Sequence, residues 1–295
     1  MTSTYLPELR RATRRTSGAP GARPAQPWPG EARCAVAITV DMDGDGNEAG
    51  IGEAPLGIHS MGRYAARRGV PRFLDMFQRH GIPATFFIPG YDCKQSPDLI
   101  RRIAAEGHEV GSHGYMHEGF MMSDEEEERR LRLTHDLISD AIGKAPRGWR
   151  SPYGQKTRHT MKVLKSMGYI YDSSDKDTDT PYLFAPHDAP GAMVEIPNNT
   201  PILSDTSWYQ DARTAPSDVE REWCAEFDSV YGGHGFFILT FHPRPGFGSG
   251  MPARANVIDR LLQHIKSHAD VAFVTLEQVA EHVLAGAEAF EELAI

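Results

Sequence analysis

From residue 34 onward the chain alternates short apolar runs with segments of helical period. Residues 34–41 (CAVAITVD) are apolar up to the closing Asp41 apart from Thr39, and rich in β-branched side chains, as expected of a buried strand. Residues 71–80 have helical period and stop at Gly81, and residues 84–89 (ATFFIP) read as a second strand. Ser96 and Pro97 stand where an N-cap and a first helical residue belong, and Gly107 closes that helix. Residues 108–112 read as a short strand. Ser123 opens a long helix to Ile142, with Glu126 placed for a capping box and Gly143 just past the end. The acids at 125–128 then fall in its first turns, where the helix dipole favours them as a solvated start. A helix is expected over 157–167, ending at Gly168, and Ser217 with Glu220 repeats the capping-box pattern. Residues 236–241 (FFILTF) read as a deeply buried strand; a helix near 253–268, a strand over 271–275 and a last helix from Glu277 follow.

Repeated strand–helix alternation predicts an α/β fold with a mostly parallel sheet and helices outside it. The length of 295 residues suits closure into a single barrel, and no internal repeat or second composition block argues for more than one domain, taken as residues 31–295. Residues 1–30 differ: five Arg, five Pro and one acid predict an extended N-terminal arm. No apolar stretch of about 7–15 residues follows its basic part, so the expectation is a cytoplasmic protein. Nowhere does an apolar run approach the roughly 20 residues that span a bilayer. The formal net charge of −9 disfavours a nucleic-acid partner. Three cysteines without a CxxC pair argue against a disulfide framework and a thiolate metal site, whereas 13 histidines leave room for a nitrogen-ligated one. No GxGxxG or GxxxxGK[ST] motif points to a dinucleotide or a P-loop.

Several of these strands end in residues that carry chemistry. Asp41 and Asp43 flank Met42; residues two apart share a face of a strand, so both carboxylates can enter one pocket, although acids before glycine are also ordinary turn residues. His113 and His117, in SHGYMHE, are spaced to meet one ion, and Asp-His-His leaves coordination positions open for water and substrate. Arg150, in RGWRSPY, needs a carboxylate partner if it is buried at a strand end. His242 closes the most apolar strand (LTFHP), either as a structural group or as a proton donor or acceptor.

Taken in order, TVDMDGDG, GIPATFFIPGY, GHEVGSHGYMHE, GWRSPYG and TFHP resemble the NodB-homology polysaccharide deacetylase superfamily, carbohydrate esterase family 4, over residues 37–243. The resemblance implies a distorted (β/α) barrel, often seven-stranded, and metal-dependent hydrolysis. It assigns Asp43, His113 and His117 as metal ligands and Asp41 as catalytic base. Arg150 becomes the residue that orients the base, the Tyr153 N–H an oxyanion donor, and His242 the general acid. It implies one divalent ion, zinc first, with cobalt, nickel, manganese and iron as alternatives. Met42 between the two aspartates departs from the adjacent pair of typical polysaccharide deacetylases. That spacing is similar to the branch holding cyclic imide hydrolases, allantoinase-like enzymes and one class of peptidoglycan deacetylases. Residues 171–174, 180–182 and 194–197 also resemble this branch, while Asn198-Asn199-Thr200 stands where bulky aromatics are frequent and implies an altered pocket. Asp205 and Trp208 resemble a DxxW support for the acid histidine. The leading expectation is hydrolysis of a small, possibly cyclic, amide, imide or ureide by a homo-oligomer, a tetramer or dimer. The alternatives are N-deacetylation of peptidoglycan or chitin-like sugars, and a catalytically silent barrel used for binding.

Overall fold

A computed structural model describes residues 28–119, 122–185, 191–198 and 202–294. The arm expected over 1–30 therefore lies outside the described residues except for its last three. Of these, Trp28 is buried, packs on Phe236 with ring centroids 5.6 Å apart, and donates from Nε1 to the His234 carbonyl at 3.1 Å.

The strands are β1 (Cys34–Asp41), β2 (Thr85–Ile88), β3 (Glu109–Ser112), β4 (Gly148–Trp149), β5 (Tyr171–Asp172), β6 (Tyr182–Ala185), β7 (Met193–Glu195), β8 (Phe236–Phe241), β9 (Val271–Phe273) and β10 (Glu292–Ala294). They form one ten-stranded sheet in the order β10-β6-β7-β5-β4-β3-β2-β1-β8, with β9 pairing to β1 off this path. Every described pair is parallel except β6 with β7. The α/β architecture agrees with the sequence pattern, but the described residues form ten strands rather than seven. The additional ones are two to four residues long, too short to show a period.

Alternation along β1 decides what faces where. Cys34, Val36, Ile38, Val40 and Met42 join the main apolar cluster, with residues from the helices Val70–His80, Pro216–Gly232 and Pro252–Lys266. The opposite face runs Ala35, Ala37, Thr39, Asp41, so it turns from apolar to polar toward the strand's C-terminal end. β8 repeats this: Phe237, Leu239 and Phe241 face the helices, while Phe236, Ile238 and Thr240 face inward. Full burial of each large apolar side chain contributes roughly 1.5–3 kcal/mol. The sheet is rolled rather than flat. β4 lies three strands from β1, roughly 14 Å away in a flat sheet, yet Arg150 just after β4 bonds to Thr39 on β1 at 2.8 Å.

Local signals held with some shifts. The helices Val70–His80 and Asp124–Ile142 end at Gly81 and Gly143, both left-handed with φ of 62° and 74°. Ser123 accepts from Glu126 N, but the Glu126 carboxylate is held by Arg129 and Arg130, so no reciprocal capping box forms. The expected Ser217/Glu220 box is absent as well. That helix starts at Pro216 behind Ala215, and Glu220 pairs with Arg260. Two boxes form elsewhere, Thr157 with Thr160 and Thr275 with Gln278; the second cuts the last predicted strand short at Phe273. The acid run at 125–128 is not wholly solvated, because Glu127 is buried and accepts from Thr160 Oγ1.

Candidate active site

The strands run parallel, so the segments leaving β1, β3, β4, β5 and β8 emerge at one end of the sheet, where active sites of βα folds gather. Asp41, Asp43, His113, His117, Arg150, Tyr153 and His242 all line one cavity of about 490 Å³ there.

Asp43 follows β1 in a left-handed conformation, φ 38°, uncommon for a residue with a side chain. Two buried groups hold it. Asp92 accepts the N–H groups of Gly44 at 2.8 Å and Gly46 at 3.0 Å. Arg244, itself paired with Glu48, donates to the carbonyls of Asp43 at 3.0 Å and Gly44 at 3.3 Å. Gly44 is required here, since a Cβ would stand 2.5 Å from Asp92 Oδ1. Burial pushes the Asp92 carboxyl up to about 7 against its two N–H donors.

His113 leaves β3 and donates from Nδ1 to the Arg150 carbonyl at 2.8 Å, since a carbonyl can only accept. That bond fixes the tautomer and turns Nε2 toward Asp43 Oδ1, 3.5 Å away. His117 arrives through a non-helical turn containing left-handed Gly114, and is itself left-handed at φ 55°. Its Nε2 lies 3.2 Å from the same Asp43 oxygen, and the two imidazole centroids are 5.1 Å apart. The Tyr153 ring packs edge-on against His117 at 4.6 Å. Asp43 Oδ1 is buried and makes no hydrogen bond, and the three donor atoms lie within 4.8 Å of one another. An orphaned carboxylate oxygen between two inward imidazole nitrogens is a donor set that could hold a divalent ion. Burial disfavours the charged form of Asp43, but His117 and His113 outweigh it and hold the carboxyl well below its ordinary range.

Asp41 accepts from Arg150 Nη1 at 2.8 Å, with both side chains almost fully buried. The guanidinium is fully engaged: Nε donates to Ser173 O at 3.0 Å, Nη2 to Ser173 Oγ at 2.9 Å, and Nη1 also to Thr39 Oγ1 and Thr240 Oγ1. The Phe87 ring lies 4.3 Å beneath it. Burial would raise the Asp41 carboxyl; Arg150, with His113 and His242, overrides this and keeps it ionised. His242 Nε2 faces the cavity, 3.9 Å from Asp41 Oδ2 and 3.8 Å from Asp43 Oδ2. Behind it, Asp205 Oδ1 receives Nδ1 at 2.6 Å, while Oδ2 takes the N–H groups of His242 and Ser249, each at 2.8 Å. A parallel bridge between Ser204 and Thr240 sets this loop against β8. Burial lowers the imidazole, but Asp205 above all, then Asp43 and Asp41, push it up to about 9. Asp205 thus meets the histidine, whereas Trp208 donates to the Ile202 carbonyl and takes no part. Asn198 lines the cavity and accepts from Thr240 Oγ1, while Asn199 and Thr200 lie outside the described residues.

Residues 57–171 match the family model for polysaccharide deacetylases. Over 294 residues the chain is 30% identical to the peptidoglycan deacetylase of Helicobacter pylori, covering 84% of this chain and 96% of that one. The chain belongs to the polysaccharide deacetylase family. A crystal structure from Mycobacterium smegmatis, described as a polysaccharide deacetylase, superposes with a TM-score of 0.81 at 31% identity, covering 92% of this chain and 98% of that one. Puue allantoinase shares the fold, with a TM-score of 0.81 at 24% identity over 95% and 98% of the two chains. Membership in this deacetylase family makes the chain a hydrolase acting on carbon–nitrogen bonds. Among the described residues no helix is long and apolar enough to cross a membrane.

Sequence reasoning missed part of the support in this family member. Asp92, Glu48 and Arg244 hold the Asp43 turn, and Lys156, within 2.8 Å of Asp175 and Glu195 and paired with Asp172, braces the segment after Tyr153. Asp92 and Arg244 come directly after the motifs GIPATFFIPGY and TFHP, but a lone acid or base in a loop has no spacing that names its partner.

Proposed function

We propose that this deacetylase-family chain is a metal-dependent hydrolase of a non-peptide C–N bond in a small amide, imide or ureide. One observation carries the reading. The Asp43–His113–His117 donor set opens on the same cavity as an ionised Asp41 and a protonated His242. Asp43, His113 and His117 would hold one divalent ion, zinc first. When bound, that ion supplies a Lewis acid and an acidified water.

The chain's own groups supply the rest. Asp41, fixed through Oδ1 by Arg150, presents Oδ2 to accept the proton of the attacking water. His242 enters protonated and gives its Nε2 proton to the leaving nitrogen, while Asp205 holds the ring and stabilises its charge. The Tyr153 N–H steadies the oxyanion from a left-handed turn, φ 57°. A complete set of such groups, each costly to bury unused, argues against a silent barrel.

A cavity of about 490 Å³ lined largely by hydroxyl and amide side chains, open to solvent on one side, suits a small polar substrate. The name of the Helicobacter pylori relative favours the second reading, removal of acetyl from peptidoglycan-like N-acetyl sugars. The branch resemblance supports a dimer or tetramer, which light scattering reads, and a small substrate accords with a cytoplasmic enzyme. The test is a hydrolysis panel of cyclic imides, ureides and N-acetylglucosamine oligomers with metal-reconstituted protein. EDTA-sensitive ring opening supports the first reading, acetate release from the oligomers replaces it with the second, and no EDTA-sensitive turnover of any substrate overturns both.

A further inference from the structure

We propose that Asp228, His264 and His268 form a second divalent-metal site, on the outer helical layer and apart from the cavity. None of the three lines the cavity. Asp228 lies on the helix Pro216–Gly232, His264 in the last turn of the helix Pro252–Lys266, and His268 two residues beyond that helix. His264 Nε2 and His268 Nε2 converge on one oxygen, Asp228 Oδ1, at 2.7 and 3.4 Å, and the three donor atoms lie within 4.8 Å of one another. Two donors on one tetrahedral zinc-like ion stand roughly 3.4 Å apart, so the His268 contact already has that spacing and the His264 contact opens by roughly 0.7 Å.

Two further features orient the imidazoles. His268 Nδ1 donates to the His264 carbonyl at 3.1 Å, which turns Nε2, the other ring nitrogen, toward Asp228. The Phe227 ring packs edge-on against both, with centroids 5.9 Å from His264 and 5.0 Å from His268. Asp228 is half-exposed, so a water can complete the coordination. The remaining clusters of this kind among the described residues are filled from within. Lys156 occupies the Asp172–Asp175–Glu195 group, and Thr160 takes the Glu127 oxygen of the Asp124–Glu127–His159 group. Imidazole and carboxylate donors select a borderline ion such as zinc, nickel or copper. Such an ion would staple the two helices, so it contributes to stability rather than turnover.

The test is zinc titration by calorimetry on chelator-stripped full-length wild type, His264→Ala and His113→Ala, with thermal melts with and without zinc. Two ions per chain are expected in the wild type and one in each variant. His264→Ala keeps turnover and loses part of the zinc-induced rise in Tm, while His113→Ala retains that part. Asp228→Asn should weaken the same binding event without altering the zinc-free melt. Two ions still bound by His264→Ala, or none bound by His113→Ala, overturns the proposal. No ion bound by His264→Ala, with one still bound by His113→Ala, overturns the cavity site instead and leaves this one standing.

Discussion

Replacing Asp205 by Asn removes one buried charge at nearly constant volume. Asp205 is the largest of the neighbours that push His242 from its ordinary value of 6.5 up to about 9, in opposition to burial. That gap corresponds to roughly 3 kcal/mol in favour of the imidazolium. The histidine is raised in the folded state, so its stabilisation is present in full below about 6.5 and is lost as pH rises through about 9. In Asp205→Asn the amide oxygen can still accept the N–H groups of His242 and Ser249, while the charge that holds the imidazolium is gone. Two readouts follow. The basic limb of kcat/KM, near 9 in the wild type, should move toward 6.5. By urea unfolding, the wild type should lose stability between pH 6.5 and 10; the variant should be less stable at pH 6.5 and nearly flat across that window. A cation in the adjacent site opposes part of the pull on His242, so both proteins are compared at equal metal load. Superimposable pH profiles for the two proteins, in rate and in unfolding, would refute the assignment of Asp205 as the group that sets the charge of His242.

Arg150→Met should destabilise the fold by about 3–5 kcal/mol in urea unfolding, because it strands Asp41 as a buried charge. Adding Asp41→Asn should recover much of that loss, and a double variant no more stable than the single one contradicts the pairing. Asp41→Asn alone should lower kcat by about 10²–10⁴ with metal content unchanged by elemental analysis; loss of the ion in that variant would sink its role as base. Gly44→Ala, whose Cβ would meet Asp92, should shift the Asp43 turn and weaken metal binding by about 10–100-fold, as disturbed support of a ligand does. Unchanged affinity by calorimetry would show that the turn does not position the ligand.

The parts legible in the sequence are those with a long period or a compact motif. β1 and β8 are apolar runs of eight and six residues, and the structure returns both with their predicted limits. β4 and β5 are two residues each and exist because their neighbours pair with them, so no local signal announces them. The same division holds in the site. Asp41, Asp43, His113, His117, Arg150 and His242 stand in contiguous motifs, and the fold brings all six to one cavity. Asp205 is 37 residues from His242 and Asp92 is 48 from Gly44, so those bonds depend on how the loops fold back. The two imidazoles of HxxxH come together through a turn rather than a helix, because left-handed Gly114 and His117 double the chain back.

Three residues of the cavity, Asp43, His117 and Tyr153, are left-handed without being glycine. Each such residue costs on the order of 1–3 kcal/mol and persists only where its surroundings over-determine it. Around Asp43 those surroundings are Asp92, Arg244 and Glu48, buried groups that touch neither the base nor the acid. The groups of the proposed chemistry therefore sit on strand ends and turns held from behind. The cavity's far wall is different: Asn198, Thr206, Ser207, Gln210 and Asp211 come from the long connection between β7 and β8. Within that connection Asp205 and Thr206 reach back to His242, at 2.6 and 3.0 Å from its Nδ1. Substitutions at its other positions can reshape what enters the cavity while leaving the Asp41–Arg150 and His242–Asp205 pairs intact.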